Sequence, residues 1–297
     1  MDGYVRPATL PDALQHIAAG GCRILAGGTD LYPQAGLRLK GAVLDLGAIA
    51  DLQGITPSAD GNTDGGADAS ASADRGLRIG ACTTWTEIAR AALPPALHGL
   101  QQAARQVGGR QVQNAGTIGG NLCNASPAAD GVAPLLVLDA QVELASRLGL
   151  RRIPLSDFLI GPRRTALRPD ELLVAIHIPA AALSGQSAFV KLGARAYLVI
   201  SIAMVAVRVD LQDGRLTKVA LAVGACAATA RRLPAQEAVL QGLSPAQALA
   251  AVEDALIGSD LAPIDDIRAS ASYRSHAAAE LVRRGLRDVL AQQEVLP

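Results

Sequence analysis

The chain has 297 residues and a net charge of +0, from 27 Lys and Arg against 27 Asp and Glu. A neutral balance lacks the cation excess that displaces phosphate counterions, and aromatics at 2% offer little for base stacking, so a nucleic-acid binder is argued against. With 50% hydrophobic residues the chain can bury a sizeable core, and at roughly 150 residues per domain its length predicts about two domains.

The first residues, MDGYVRPATLPDAL, lack a basic stretch followed by an apolar one, so no signal peptide is expected. No apolar run is long enough to span a membrane, and a cytoplasmic protein is the expectation. Pro11 can open a helix carrying Ala13, Leu14 and Ile17, stopped by Gly20 and Gly21. Cys22–Ala26 reads as a short strand that runs into the turn-prone Gly27-Gly28-Thr29-Asp30, and Ala42–Leu46 as another strand. Residues 57–76 are almost wholly Ala, Asp, Gly and Ser, a composition that buries too little apolar area to offset ordering entropy. Strand-like flanks at Leu52–Ile55 and Leu77–Ala81 make them a mobile hairpin connection. Thr84-Trp85-Thr86-Glu87 fits a capping box at the start of a short helix.

Residues 97–107 read as a helix ended by Gly108 and Gly109, and Gly116–Asn121 as a glycine-rich loop. Pro134–Leu138 reads as a helix, and Gln141–Ala145 and Glu171–Ile178 as strands, the latter stopped by Pro179. The small, polar stretch 180–187 marks a domain boundary. Beyond it, Phe189–Leu192, Leu198–Asp210 and Leu216–Gly224 are β-rich, the last two joined by a turn at residues 212–215. Three helical stretches follow. One starts near Pro234, one runs from a Ser244 cap through Pro245 to Gly258, and one runs from Ser272 to Gln292. The last carries Leu281, Val282, Leu286, Val289 and Leu290 on one face. The C-terminal third is therefore expected to be a small α+β domain, a meander covered by helices.

Cys22, Cys82, Cys123 and Cys226 are isolated, without a CxxC, so neither a zinc site nor an iron–sulfur cluster is expected in this chain. Buried apolar roles suit them better. His16, His98, His177 and His276 are scattered and form no cluster with Cys or Asp.

The two glycine segments carry the most information. Neither 26–30 nor 117–121 matches the dinucleotide fingerprint or the P-loop pattern. Consecutive glycines still let a backbone approach a ligand closely, and their amides can converge into an anion-binding nest. Thr29, Thr117 and Asn121 add polar side chains. Either pair alone reads as a tight turn; together they could grip the two phosphates of a dinucleotide, and the two readings stand about even. Asp130 would be repelled by phosphate unless it met ribose hydroxyls or an adenine amino group. A helix N-cap is its other local reading.

Five strings in order across the chain resemble the FAD-binding medium subunit of molybdenum hydroxylases, a family that includes xanthine, carbon monoxide and N-heterocycle dehydrogenases. They are LAGGTDLYPQAGLRLKG (25–41), GTIGGNLCNASPAADGVAPLLVLDA (116–140), DELLVAIHIP (170–179), FVKLGARAYLVISIAMVAVRV (189–209) and DDIRASASYRSHAAAELVRRGL (265–286). The resemblance implies an α+β fold in two parts. The first is a two-subdomain PCMH-type, vanillyl-alcohol-oxidase-like FAD-binding domain over 1–180, its subdomains about 1–52 and 53–180. The second is a small α+β domain over 185–297, a three-stranded antiparallel sheet plus helices.

The same resemblance implies cofactor contacts. Leu25, Ala26, Gly27, Gly28, Thr29, Asp30, Leu31 and Tyr32, with Thr117, Ile118, Gly119, Gly120 and Asn121, would hold the FAD pyrophosphate, largely through backbone amides. Asp130 matches an aspartate at the adenosine end, Leu173 a residue lying on the flavin ring, and Lys191 a lysine near the flavin's polar edge. There a positive charge would stabilise the anionic reduced ring. A solvated strand lysine is the alternative reading of Lys191, disfavoured by the surrounding FVKLG string. Val107 stands where a eukaryotic relative stacks a phenylalanine. Tyr197 either covers the flavin or is a half-buried strand tyrosine.

The uninterrupted Leu122–Asp130 leaves no room for the cysteine-rich insertion of 4-hydroxybenzoyl-CoA reductases, so no [4Fe–4S] cluster is inferred. AGGTD resembles xanthine and heterocycle dehydrogenase subunits, where carbon monoxide dehydrogenases tend to have AGGHS. The implied role is electron transfer from [2Fe–2S] clusters in a small partner, through FAD, to NAD+ or another acceptor. The molybdenum cofactor would sit in a large partner, in a dimer of heterotrimers. A carbon monoxide or aldehyde dehydrogenase subunit and a self-contained flavin oxidase are the alternatives.

Overall fold

The computed structural model describes residues 3–35, 40–58 and 75–293. β1 (Tyr4–Val5), α1 (Leu10–Ala18), β2 (Cys22–Leu25), α2 (Leu31–Gln34) and β3 (Ala42–Asp45) make a first unit, a parallel sheet of order β1-β3-β2. Thr9 caps α1, its hydroxyl accepting from the Asp12 amide. Pro11 sits in the first turn, where a missing N–H leaves nothing unsatisfied. Ala13, Leu14 and Ile17 are buried, as their spacing predicts, in one cluster with Leu44, Ile49 and Leu52.

β4 (Ile55–Pro57) and β5 (Leu77–Gly80) then pair antiparallel, Ile55 opposite Ile79, as a hairpin connection requires. Most of that connection, 59–74, lies outside the described residues. The strand expected at Leu52–Ile55 begins only at Ile55. Residues 50–52 instead form a single 3-10 turn that drives Leu52 into the first unit's core, fully buried, with its carbonyl accepting from the Cys82 amide at 2.7 Å.

The helices α3 (Trp85–Arg90), α4 (His98–Gln106), α5 (Arg110–Ala115), α6 (Ile118–Asn124) and α7 (Val132–Val137) follow. The Thr84–Glu87 capping box forms as predicted, with both reciprocal bonds present. Then come β6 (Gln141–Ser146), β7 (Gly149–Pro154), α8 (Leu155–Phe158), the small hairpin β8 (Leu159–Gly161) and β9 (Arg164–Thr165), and β10 (Leu172–Ile178). Five strands form an antiparallel sheet of order β4-β5-β10-β6-β7. β10 is buried at every position, which accounts for its largely apolar sequence. His177 in this strand is structural: Nε2 lies 3.0 Å from Glu143, and Nδ1 lies 3.3 Å from the Ser58 hydroxyl.

The remainder holds β11 (Gln186–Leu192), β12 (Ala203–Gln212), β13 (Arg215–Gly224), β14 (Arg231–Arg232), α9 (Pro234–Leu240), α10 (Pro245–Ala250), α11 (Asp254–Ser259) and α12 (Ala271–Gln293). The sheet has four strands, β11-β12-β13-β14, where three were expected; the fourth is a two-residue edge. The strand expected from Leu198 starts only at Ala203. Leu198 has φ of 51°, a left-handed conformation unsuited to a bulky strand residue. The helix expected from Ser244 to Gly258 is broken in two. The Gln236 side chain, fully buried, donates to the Ala251 carbonyl at 2.9 Å and accepts from the Glu253 amide at 2.8 Å, satisfying the backbone at the break.

β12 is buried on both faces. Met204 and Ala206 join the core that contains Trp85 and Leu173, while Val205, Val207 and Val209 pack under α9–α12. Two arginines of this sheet also cap α7. Arg208 Nε donates to the Val137 carbonyl at 2.7 Å, and Arg232 Nη1 to the Leu136 carbonyl at 3.1 Å. Both carbonyls lie in the last turn of α7, where intrahelical partners run out. No helix of the described residues is long and apolar enough to cross a membrane.

Candidate cofactor site

A cavity of 370 Å³ is walled by both glycine segments. The first enters from β2. Gly27 passes so close to α5 that a Cβ there would lie 2.0 Å from the Ala115 carbonyl oxygen, so only glycine fits. The amides of Gly27, Gly28, Thr29 and Asp30 have no protein partner among the described residues. Gly27, Gly28 and Thr29 are buried or half-buried, and donors so placed need a partner. They are the donors that a backbone nest would use.

The second segment behaves differently. It is no loop: Thr117 caps α6, and Gly119 and Gly120 lie in that helix's first turn. The Ile118 amide donates to the Thr83 carbonyl at 3.0 Å, the Gly119 amide to the Ala81 carbonyl at 2.8 Å, and the Gly120 amide to the Thr117 hydroxyl at 3.1 Å. These donors are spent on the protein, so the expectation of a second amide nest is corrected. What glycine secures at 119 is proximity, since a Cβ would lie 2.6 Å from the Ala81 oxygen. Asn121 also lines the cavity, and its buried Oδ1 has no partner among the described residues, an acceptor left for a ligand hydroxyl or N–H.

Part of the lining is aliphatic. Val107, Leu167, Leu172 and Leu173 belong to it, Leu173 beside a register shift in β10. Trp85, Cys82, Cys123 and Asn124 also line the cavity. Burial pushes the Cys82 thiol up to about 12, with Asp45 adding to the effect, so it stays protonated and a poor nucleophile. Among the described residues no group of three or more His, Cys, Asp and Glu could hold a metal.

Of the residues singled out in the sequence, Ala26, Gly27, Gly28, Thr29, Asp30, Leu31, Val107, Thr117, Gly119, Gly120, Asn121 and Leu173 line the cavity. Leu25 and Ile118 are buried beside it in the core. Tyr32 is 57% exposed and lies against Gly28, where a Cβ would meet its ring at 2.4 Å. Tyr197 is 82% exposed on the segment between β11 and β12, away from any strand, so the half-buried strand reading is corrected.

Asp130 and Lys191 are brought together. Lys191 Nζ donates to Asp130 Oδ2 at 2.6 Å and to the Gln106 carbonyl at 3.3 Å, and Ser201 donates to Asp130 Oδ1 at 2.6 Å. Two side chains in contact cannot serve opposite ends of one dinucleotide, so that pairing of roles is not met. The local alternatives fall as well, because Lys191 is buried and Gly131, not Asp130, occupies the cap of α7. Burial raises the Asp130 carboxyl above the usual carboxylate range, against the lowering effect of Lys191 and Ser201.

Unpartnered amides, an orphaned acceptor and an aliphatic wall in one cavity suit a ligand with phosphates at one part and a flat apolar ring at another, as FAD has. Fold and cavity thus define a dinucleotide-cofactor protein. The family of the FAD binding domain in molybdopterin dehydrogenase matches residues 1–181, and that of the CO dehydrogenase flavoprotein C-terminal domain matches residues 188–289. The xanthine dehydrogenase FAD-binding subunit of Escherichia coli O157:H7 is 32% identical over 97% of this chain and 96% of its own. The nicotine 6-hydroxylase medium subunit of Paenarthrobacter nicotinovorans is 32% identical over 95% of this chain and 94% of its own. The solved CO dehydrogenase from Oligotropha carboxidovorans superposes with a TM-score of 0.85 at 30% identity, over 98% of each chain. The chain belongs to the FAD-binding medium subunits of the molybdenum hydroxylases.

Trp85, Cys82, Leu167 and Asn124 were not singled out from sequence. The capping box dates the start of α3 but not the side on which Trp85 falls. Asn124 carried no signal beyond its place in the second string.

Proposed function

We propose that this chain is the electron-handling subunit of a purine or N-heterocycle hydroxylase, placed between a small [2Fe–2S] subunit and a large molybdopterin subunit in a cytoplasmic dimer of heterotrimers. We divide it at 1–180, with subdomains about 1–52 and 53–180, and 185–297. FAD, when bound, would supply the exchange between one-electron arrival and two-electron delivery to NAD+ or another acceptor. The chain's residues have simpler tasks. Amides of Gly27 to Asp30 hold the pyrophosphate, and Asn121 accepts from the ligand. Val107, Leu167 and Leu173 keep water from the ring. Asp130 and Lys191 act as one unit behind Val107, at the flavin end. The observation that carries this reading is the presence of unpartnered amides and aliphatic side chains in the lining of one cavity. The AGGTD string and the xanthine and nicotine relatives support the heterocycle side.

Purifying the complex with its partners and assaying purines, N-heterocycles, aldehydes and CO, with NAD+ and artificial acceptors, tests it. One FAD per chain and turnover of a heterocycle are expected. A chain that stays colourless and takes up no FAD overturns the cofactor role, and turnover of CO alone overturns the substrate class. Acid precipitation should release all flavin; retention would favour a self-contained oxidase.

A further inference from the structure

Asp30 poses a problem for the cavity it lines. Its carboxylate stands beside the free amides that would receive a pyrophosphate, and like charges at that range repel within a Debye length. The structure supplies a counterweight. Asn124, on the cavity wall at the end of α6, donates Nδ2–H to Asp30 Oδ1 at 2.9 Å. Arg163, at the turn between β8 and β9, donates Nη1–H to Asn124 Oδ1 and to the Asn124 carbonyl. The three residues belong to three separate segments, the first glycine segment, α6 and the β8–β9 hairpin, and two of them, Asp30 and Asn124, line the cavity.

The backbone is shaped around this contact. Ala125 and Arg163 are both non-glycine residues in the left-handed region, at φ of 45° and 57°. They are joined by the Arg163 amide donating to the Ala125 carbonyl at 2.8 Å. Two such conformations meeting at one point hold the hairpin against α6 and aim the guanidinium at Asn124.

We infer that Asn124 and Arg163 are positioning residues that form a clasp, one that ties down the Asp30 carboxylate and partly offsets its charge, and so lets an anionic dinucleotide enter beside it. The clasp rests on the proposed FAD role. Asn124 polarised by the Arg163 cation is a stronger donor to the carboxylate than a lone amide. Removing the cation leaves the Asp30 charge facing the phosphates. Removing the Asp30 charge makes the cation unnecessary. That reciprocal dependence separates the clasp from a merely structural contact, where losses would simply accumulate.

The test is a fluorimetric titration of the full chain with FAD at low and high salt, comparing wild type, Arg163→Met, Asp30→Asn and the double variant. Arg163→Met should raise Kd about tenfold at low salt, with a smaller effect at high salt. The double variant should return to within about twofold of wild type. Asn124→Ala, with and without Asp30→Asn, gives the same reading if Arg163→Met folds poorly. Wild-type affinity in both single variants, or a double variant no better than Arg163→Met, overturns the clasp alone. No FAD uptake by wild type overturns the cofactor role and the clasp with it.

Discussion

Lys191 and Asp130 meet at 2.6 Å, lysine from the C-terminal sheet and aspartate from the FAD-binding part, both almost wholly shielded from water. The same ammonium reaches the carbonyl of Gln106, the residue before the cavity-lining Val107. The C-terminal part therefore holds a wall of the cofactor cavity in place. Replacing Lys191 by Met leaves a buried carboxylate with Ser201 as its remaining side-chain partner, and should cost about 3–5 kcal/mol of stability. Because burial already raises the folded Asp130 pKa, this carboxyl contributes most below its unfolded pKa. Its contribution is lost as pH rises through the folded value. Thermal unfolding of the variant should accordingly worsen with rising pH. A penalty that stays flat with pH would show that Asp130 does not carry it, and adding Asp130→Asn should recover part of the loss.

Gly119 and Gly120 should respond differently to valine. At 119 the added carbons collide with the Ala81 backbone, so the FAD-binding part loses stability. At 120 the one neighbour within reach is the Thr117 hydroxyl at 2.9 Å, and the new side chain fills the cavity. Gly120→Val should keep the wild-type melting temperature within a few degrees yet lose FAD. Normal flavin content in Gly120→Val would remove this cavity from the account.

Trp85 is the sole tryptophan of the chain and lines the cavity at 1% exposure. FAD entering there should quench its emission in proportion to occupancy, reaching a plateau at one equivalent. Emission unchanged through a titration in which flavin co-purifies with the chain would place the flavin elsewhere.

Asp266 organises the turn ahead of α12. The Arg268 amide, then the Arg274 guanidinium and the Ala269 amide, draw its carboxyl from 3.8 down to about 2. A lowered folded pKa means that its contribution is complete above 3.8 and fades as pH falls towards 2. Carboxyl NMR should give a midpoint near 2, and Asp266→Asn should abolish the change in amide protection of residues 268–274 across that window. A midpoint at 3.8 would mean that the turn is not held this way.

Local chemistry made much of the fold legible before any contact was known. The Thr84 capping box and the spacing of Ala13, Leu14 and Ile17 each depend on neighbours a few residues away, and each formed as its spacing predicts. The errors fell where distant atoms intervene. Gln236 reaches across to break a helix that Ser244 and Pro245 correctly begin. The Thr83 and Ala81 carbonyls claim the amides of a segment that, read alone, looks free to bind phosphate.

The candidate site divides along the same line. Glycine pairs announce that the backbone must approach something, because their value lies in a missing Cβ that composition reveals directly. Whether that something is a ligand or another strand of the same protein is a matter of which carbonyls fold against them. For Gly27 to Asp30 the amides remain open; for Ile118 to Gly120 they are taken. Asp130 and Lys191 lie far apart along the chain, and no periodicity links them. Only the packing of β11 and the segment before β12 against α4 and α7 brings their charges together, and with them the two parts of the protein.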